Sequence, residues 1–478
     1  MTWPVAGLLL TPLIAAPLLA ALPSHRAAAR LNITASGLGF LFALALLRGA
    51  PEATTLFLID RLNTIFLILN AFVGLTSSLF SAGYIGHEVK TGRLTPPALR
   101  LYHAMFQLML FAMSLALCAN NIGLIWVAVE LATLATVMMV GIYRTHAALE
   151  AAWKYFILGS VGIGLALFGT ILVYLAAVQA LGEGIGAMEW SNLHAHATAL
   201  DPALLNVAFI FLLLGYGTKT GLVPMHAWLP DAHAEGPTPV SAVLSGLLLN
   251  VALYALLRFK MIMAANAAVM HPGPLMILFG LTSVLFAALM LYRRGDIKRL
   301  FAYSSIEQMG LITFAFGLGG PLGNLAGILQ MILHSLVKSA IFFSVGQIVQ
   351  ARGTQRIAEI RGLTTSEPLL GWMLVAGVVA IAGLPPFGLF MSEFLLLTSS
   401  FARAPALTAL AALGLLLALG ALLRRLGEIA FGVPGPAGVP VRASHTPALA
   451  HLALALLMGL FLPGAVAAWF HAVAGMLG

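Results

Sequence analysis

GYGTKTGLVPMHAWLP at residues 215–230 and GLPPFGLFMSEF at residues 383–394 are the two stretches that decide how this chain is read. Each lies inside a long apolar run, and each joins helix-breaking residues to one ionisable side chain. Pro224 follows Lys219 closely enough to remove a backbone hydrogen bond and kink a helix, and the Pro385 and Pro386 pair comes just before Glu393. An ionisable group at mid-bilayer costs roughly 2.5 to 3.5 kcal/mol on insertion scales, so each one is a functional hypothesis by default. Interrupted helices at matching positions in two halves of a transporter let freed backbone groups face a wet cavity and bind or relay ions. The expected ion path therefore runs beside both breaks.

The rest of the chain is consistent with a bilayer as its solvent. Its 478 residues are 61% hydrophobic and 8% charged, with a mean hydropathy of +1.00, which excludes a water-soluble domain of this length. A spanning helix needs about 20 apolar residues, and the pattern predicts about fourteen of them. Their approximate bounds are 2–22, 31–47, 62–85, 102–119, 122–143, 155–181, 203–229, 240–257, 274–292, 300–319, 324–349, 369–397, 406–423 and 446–470. The first is read as a retained helix rather than a signal peptide, because no basic residue precedes it and no small-residue cleavage pattern follows. The single cysteine, Cys118, excludes an internal disulfide and leaves no thiolate set for an iron-sulfur cluster or a zinc site. No cofactor or metal site is expected in this chain, and any redox chemistry belongs to other subunits.

The net charge of +8 follows topology rather than an acidic or nucleic-acid partner. Most of the 24 Lys and Arg fall in connections on one side, among them Arg26, Arg30, Lys90, Arg93, Arg144, Arg293, Arg294, Lys298, Arg299, Arg352, Arg424 and Arg442. The other side keeps Arg48, Arg61, Arg258, Lys260 and Arg403. The positive-inside rule then places both termini on the outer face.

Within the apolar runs, Glu130 lies mid-span in NNIGLIWVAVELATLATVMMV, where a short carboxylate needs a partner or a proton. A Glu130–Lys219 ion pair would hold the proton on the lysine, and separating the two would release it. His334 and Lys338, in HSLVKSAIFF, are i and i+4 on one helix face and stand between the two halves as a central connection. Glu307 and Gln308 follow DIKRLFAYSS and are expected nearer the inner surface. Asn250, Glu307 and His226 are secondary relay candidates. A structural reading stands beside each: an interhelical salt bridge for Glu130 and Lys219, a snorkelling lysine for Lys338, a permanent Glu393–Arg403 pair, and cavity or interface packing for His226 and His233.

These motifs resemble those of the proton-translocating, antiporter-like subunits of respiratory complex I, of cation/proton antiporter complexes and of membrane-bound energy-converting hydrogenases. The stretches that carry the resemblance are NNIGLIWVAVELATL, HAWLPDAHAEGPTPVSAVLSG, DIKRLFAYSSIEQMG, HSLVKSAIFFSVGQI and IAGLPPFGLFMSEF, in the family's order and spacing. Within it, RLTPPALRLYHAMFQLMLFAMSLAL and YRTHAALEAAWKYFILG most resemble component F of hydrogenase-4, found in formate hydrogenlyase-type assemblies.

The resemblance implies an all-α membrane fold with two inverted five-helix repeats, each containing a broken helix. Residues 1–100 would hold three N-terminal helices, 101–265 and 266–432 the repeats, and 433–478 a last helix. It implies Glu130 as the fifth-helix carboxylate, Lys219 as the broken-helix lysine, Lys338 with His334 as the centre and Glu393 as the terminal ionisable residue. This chain departs from many relatives in having Ser245 and Asn250, not Lys or His, on the eighth helix, and Gln308 where His is frequent, so water has to bridge the gap. The implied setting is a bacterial cell membrane, with other membrane subunits, lipid and peripheral [NiFe]-hydrogenase-like redox subunits as partners. A cation/proton antiporter or inorganic-carbon uptake complex, and a non-pumping scaffold, are the competing expectations.

Overall fold

The computed structural model describes residues 2–49, 52–434, 438–439 and 443–478; Arg442, counted above among the inner-side cations, lies outside them. The chain is helical almost throughout. Three helices open it: α1 (Trp3–Ala21), α2 (His25–Ala45) and α3 (Arg61–Lys90). Then come α4 (Pro96–Cys118), α5 (Ile122–Val140), α6 (His146–Leu181), the short α7 (Trp190–Ala195) and α8 (Pro202–Thr220). After α8 the chain forms α9 (Trp228–Glu235), α10 (Thr238–Val243) and α11 (Leu249–Ala264). The second half holds α12 (Gly273–Leu291), α13 (Ile297–Leu318), α14 (Gly320–Arg352), the one-turn α15 (Leu363–Ser366), α16 (Pro368–Ile381), α17 (Gly388–Phe401) and α18 (Pro405–Ala430). It ends with α19 (Thr446–Leu460) and α20 (Gly464–Met476).

Polar residues set the helix starts. Asp60 accepts from the Asn63 amide at 2.9 Å while Asn63 Oδ1 accepts from the Asp60 amide at 2.9 Å, a reciprocal cap on α3. Asp201 caps α8 through the amides of Ala203 and Leu204, with Pro202 in the first turn where its missing N–H costs nothing.

Among the described residues eleven helical segments are long and apolar enough to span a membrane, or twelve if the bent pair α19–α20 is one span. The helix α13 falls outside that count because Glu307 and Gln308, with Tyr303, Ser304 and Ser305, dilute its apolar content, and the α16–α17 pair because it is broken into two short pieces. Adding both to the figure of twelve gives the fourteen crossings expected from the sequence.

Burial locates the middle of the bundle. The α10–α11 span is entirely buried and α14 almost so, whereas α2 and α18 turn most of their surface outward. The helix α14 packs against α3, α10, α13, α16, α17, α19 and α20, which makes it the central post. Close helix approach depends on glycine: a Cβ on Gly215 would sit 2.5 Å from the Ala166 amide, so α8 lies against α6 only because that atom is missing. Gly280 does the same for α12 against α13, with the Phe314 amide 2.6 Å away.

Four expectations need correction. The last span is two helices bent by 86° where Leu462 and Pro463 interrupt the run. Arg258 and Lys260 are not outer-connection residues, because α11 continues to Ala264 and buries both. Arg258 pairs with Asp60 at 2.7 Å beneath the Trp190 ring, and Lys260 donates to the Leu477 carbonyl at 2.9 Å. Lys298 is not a connection residue either, since it is buried in the first turn of α13 and donates to the carbonyls of Ala234 and Gly236. Glu307 is mid-helix and 1% exposed rather than near a surface.

Candidate functional site

The first break starts earlier than Pro224. Gly221 takes a left-handed conformation (φ 81°), closes α8 two residues after Lys219, and residues 221–227 run irregularly to α9. The polar groups this frees are satisfied from neighbouring helices. Trp228 Nε1 donates to the Thr218 carbonyl at 2.8 Å, and the Val223 amide donates to Ser283 Oγ at 2.9 Å. Trp228 itself lies flat on Tyr155 with 4.2 Å between ring centroids. The break is therefore a held structure, and Lys219 sits in a fixed last turn.

Lys219 is 1% exposed, and its Nζ is 3.2 Å from Glu130 Oε2 on α5. It also donates to Thr133 Oγ1 at 2.8 Å, one turn beyond Glu130. Gly159 on α6 makes room for this ammonium, since a Cβ there would stand 2.9 Å from Nζ. His226 lies within the break itself, its ring against Phe286 (4.8 Å) and apart from the ion pair.

The second break runs from Ala382 to Phe387, between α16 and α17. Gly383 has φ 65°, and a side chain there would collide with the Glu393 carboxylate, so the carboxylate rests over the break itself. Glu393 Oε1 accepts from Gln308 Nε2 at 3.4 Å and from Gln330 Nε2 at 3.3 Å. Gln308 also donates to Glu307 Oε2 (3.1 Å) and to the Ile381 carbonyl (3.3 Å) at the end of α16. Gln330 donates to Gln308 Oε1, and Ser392 Oγ donates to Gln330 Oε1. Two carboxylates, two amides and a hydroxyl thus form one buried cage. Arg403 is not part of it; its guanidinium donates to the Gly319 carbonyl at 3.2 Å.

Between the breaks, Gln330, His334 and Lys338 follow one another at four-residue steps on α14. Lys338 Nζ donates to the Phe301 carbonyl at 2.9 Å, and neither ring nitrogen of the buried His334 has a protein partner. A π-helical segment, Leu244–Leu248, separates α10 from α11, a distortion common at functional positions. Here it presents the Gly246 carbonyl to Ser335 Oγ, which donates to it. Ser245 Oγ is 2.7 Å from Ser305 Oγ on α13. Asn250 Nδ2 donates to Ser335 Oγ (2.7 Å) and the Met331 carbonyl (2.9 Å), beside His334.

Of the residues singled out from sequence, the structure brings Glu130 to Lys219, and Glu307 to Glu393 through Gln308. Lys338 and His334 share a face without a hydrogen bond between them, and His226 stands alone. Sequence reasoning missed Thr133, Gln330 and Ser392. The signal for Gln330 was its four-residue spacing from His334; nothing in the sequence marks Thr133 among the chain's many buried hydroxyls. Among the described residues no group of three or more metal-ligating side chains converges.

The chain is similar to known membrane proteins over nearly its whole length. The family described as "NADH:quinone oxidoreductase/Mrp antiporter, TM" matches residues 119–420, which span both breaks. A "Hydrogenase-4 component F homolog" of Methylacidiphilum infernorum (isolate V4) is 57% identical over 466 residues, 98% of each chain. A chain of respiratory complex I from Thermus thermophilus superposes with a TM-score of 0.82 at 26% identity, covering 99% of this chain and 100% of that one. A chain of the Mrp complex from Dietzia sp. DQ12-45-1b gives 0.83 at 22% identity, covering 99% and 97%. With a spanning fold, two held breaks and a line of buried ionisable groups between them, the chain belongs to the NADH:quinone oxidoreductase/Mrp antiporter transmembrane family.

Proposed function

We propose that this chain is a proton-translocating membrane subunit, without a redox site of its own, of a hydrogenase-4-like or complex I-like oxidoreductase. One observation carries the reading: Glu130 with Lys219 lies buried at one broken helix, Glu393 at the other, and His334 with Lys338 on α14 between them. In this reading residues 101–265 and 266–432 are inverted repeats, Glu130 with Lys219 is the first station, Lys338 with His334 the centre, and the Glu307–Glu393 cage the last. The partners are other membrane subunits and peripheral redox subunits of [NiFe]-hydrogenase type, in a bacterial membrane with both termini outside.

The chemistry follows from charge. Lys219 keeps its proton while Glu130 is 3.2 Å away. A movement of α5 against α8 that separates the pair leaves a buried ammonium without its counter-ion, and the proton then leaves. His334 offers a ring nitrogen beside Lys338, and Ser245, Ser305, Asn250 and Ser335 supply hydroxyls and an amide that orient water across the gap. At the far station a proton meets two carboxylates whose hydrogen-bond donors, among the described residues, are neutral amides.

The test is proton uptake into vesicles holding the intact complex, driven by its electron donor. Lys219→Met and Glu393→Gln complexes are expected to transfer electrons with little or no gradient. A gradient equal to wild type in both variants refutes the relay.

A further inference from the structure

At the start of α2, cations gather where the chain supplies no anion. The helix opens with His25 and Arg26 and carries Arg30 one turn on; its first turn holds no acidic residue, and Ser24 makes no side-chain cap. A helix N-terminus already carries roughly half a positive charge, so Arg26 and Arg30 repel it and one another. Lys90, the last residue of α3, adds another cation across a cavity of about 480 Å3 lined by Ser24, His25, Arg26, Gly83, Gly86 and Lys90. The nearest ion pair takes Arg93 to Glu88 at 3.3 Å and, among the described residues, leaves Arg26 and Lys90 with no carboxylate partner.

The cavity has a built wall. Gly86 lets the His25 ring lie close against α3, because a Cβ there would stand 2.9 Å from His25 Nε2. That nitrogen donates to the Ala82 carbonyl at 3.0 Å, which leaves Nδ1 as a buried atom without a partner. Behind it lies fully buried His103, ring centroids 5.9 Å apart, with neither of its nitrogens hydrogen-bonded to protein. Farther along, α2 turns Leu38 and Leu41 outward, about 18 to 23 Å beyond Arg26 at 1.5 Å per residue. The cationic end is thus continuous with an exposed apolar helix face of acyl-chain length.

We propose that this cavity seats the phosphate headgroup of an anionic phospholipid whose acyl chains lie along α2. A small anion alone would account for the cations but not for their place at the foot of an outward apolar helix. Basic pockets between spanning helices select such headgroups by charge.

The full chain in neutral detergent, incubated with phosphatidylglycerol or phosphatidylcholine, reports lipid retention by native mass spectrometry. Wild type is expected to prefer phosphatidylglycerol. The Arg26→Gln/Lys90→Gln variant should lose roughly fivefold of that preference per cation, or roughly 25-fold in all. Arg144→Gln/Arg293→Gln, which neutralises exposed cations outside the cavity, should keep it, as should the charge-preserving Arg26→Lys/Lys90→Arg. All altered residues are exposed, and elution as a single species confirms the fold. Equal retention of the two lipids, or an unchanged preference in the neutralised variant, overturns the proposal. Displacement of phosphatidylglycerol by an equal concentration of inorganic phosphate also overturns it, by making the cavity a free-anion site.

Discussion

Replacing Glu130 with Gln should destabilise the chain more than replacing both Glu130 and Lys219. At 3.2 Å, opposite unit charges attract by about 5 kcal/mol in an effective dielectric of about 20. Most of this offsets the desolvation of an ammonium that is 1% exposed. With Glu130→Gln, Lys219 keeps only Thr133 Oγ1 as a strong partner, and either holding the charge uncompensated or giving up the proton to stay buried costs about 3 to 5 kcal/mol. Lys219→Met costs less, because Glu130 is 17% exposed and less completely desolvated. The double variant sets an apolar side chain against a neutral amide and removes the penalty, so the interaction energy from the cycle should be about 3 kcal/mol or more. Denaturant unfolding of the four full-length proteins in mixed micelles measures it. If the two single effects add to within about 0.5 kcal/mol, the residues do not act as a pair, and the first station of the relay has no physical basis.

Three further outcomes follow from the same geometry. Gly383→Ala forces a side chain into a φ of 65° and against the Glu393 carboxylate, and should cost about 1 to 3 kcal/mol in strain; vesicles holding this complex should show a greater loss of proton uptake than of electron transfer. Gln330→Leu removes a donor to Glu393 and the acceptor of Ser392, and hydrogen bonds to charged groups contribute about 1.5 to 3 kcal/mol; proton uptake should fall about tenfold or more, and an unchanged rate would mean the cage is only packing. Arg258→Leu leaves Asp60 without its 2.7 Å partner and should lower stability by about 3 to 5 kcal/mol, with Asp60→Asn/Arg258→Leu recovering part of it in the same unfolding assay.

The sequence shows the charges that break a rule and hides the neutral groups that serve them. Lys219 and Glu393 stand out because each is an ionisable residue beside proline in an apolar run, and Glu130 because no connection is near. Glu307 reads as near a surface because DIKR precedes it, yet α13 carries one of those cations inward as well: Lys298 is buried against the Ala234 and Gly236 carbonyls. Arg258 and Lys260 mislead for the same reason, since a cation just past an expected helix end is counted as solvent-facing until a tertiary partner, here Asp60 or the Leu477 carbonyl, is known. Gln330 and Ser392 break no rule, because a neutral amide or hydroxyl is tolerated in a membrane helix. The 86° bend between α19 and α20 has a visible cause in Pro463, but the apolar run through 446–470 conceals it from a count of hydropathy.

The two breaks are alike in placement and differ in electrostatics, and in the proposed relay that difference sets a direction. At the first, a cation is already matched by a carboxylate, so in that proposal charge moves when α5 and α8 separate. At the second, Gln308 donates to both Glu307 and Glu393, Gln330 donates to Glu393 alone, and among the described residues no cation is hydrogen-bonded to either carboxylate, so in the proposed relay an arriving proton meets neutral donors rather than a hydrogen-bonded counter-ion. The groups between them, Ser245, Ser305, Asn250 and Ser335, are tied into interhelical hydrogen bonds and carry no charge. Placing an ionisable group there should therefore change the barrier rather than the end states: Asn250→Lys, beside His334 and Lys338, adds a cation next to a buried pair of bases and should slow proton uptake. A faster rate in Asn250→Lys vesicles would show instead that the uncharged gap, and not the opening of the Glu130–Lys219 pair, limits transfer.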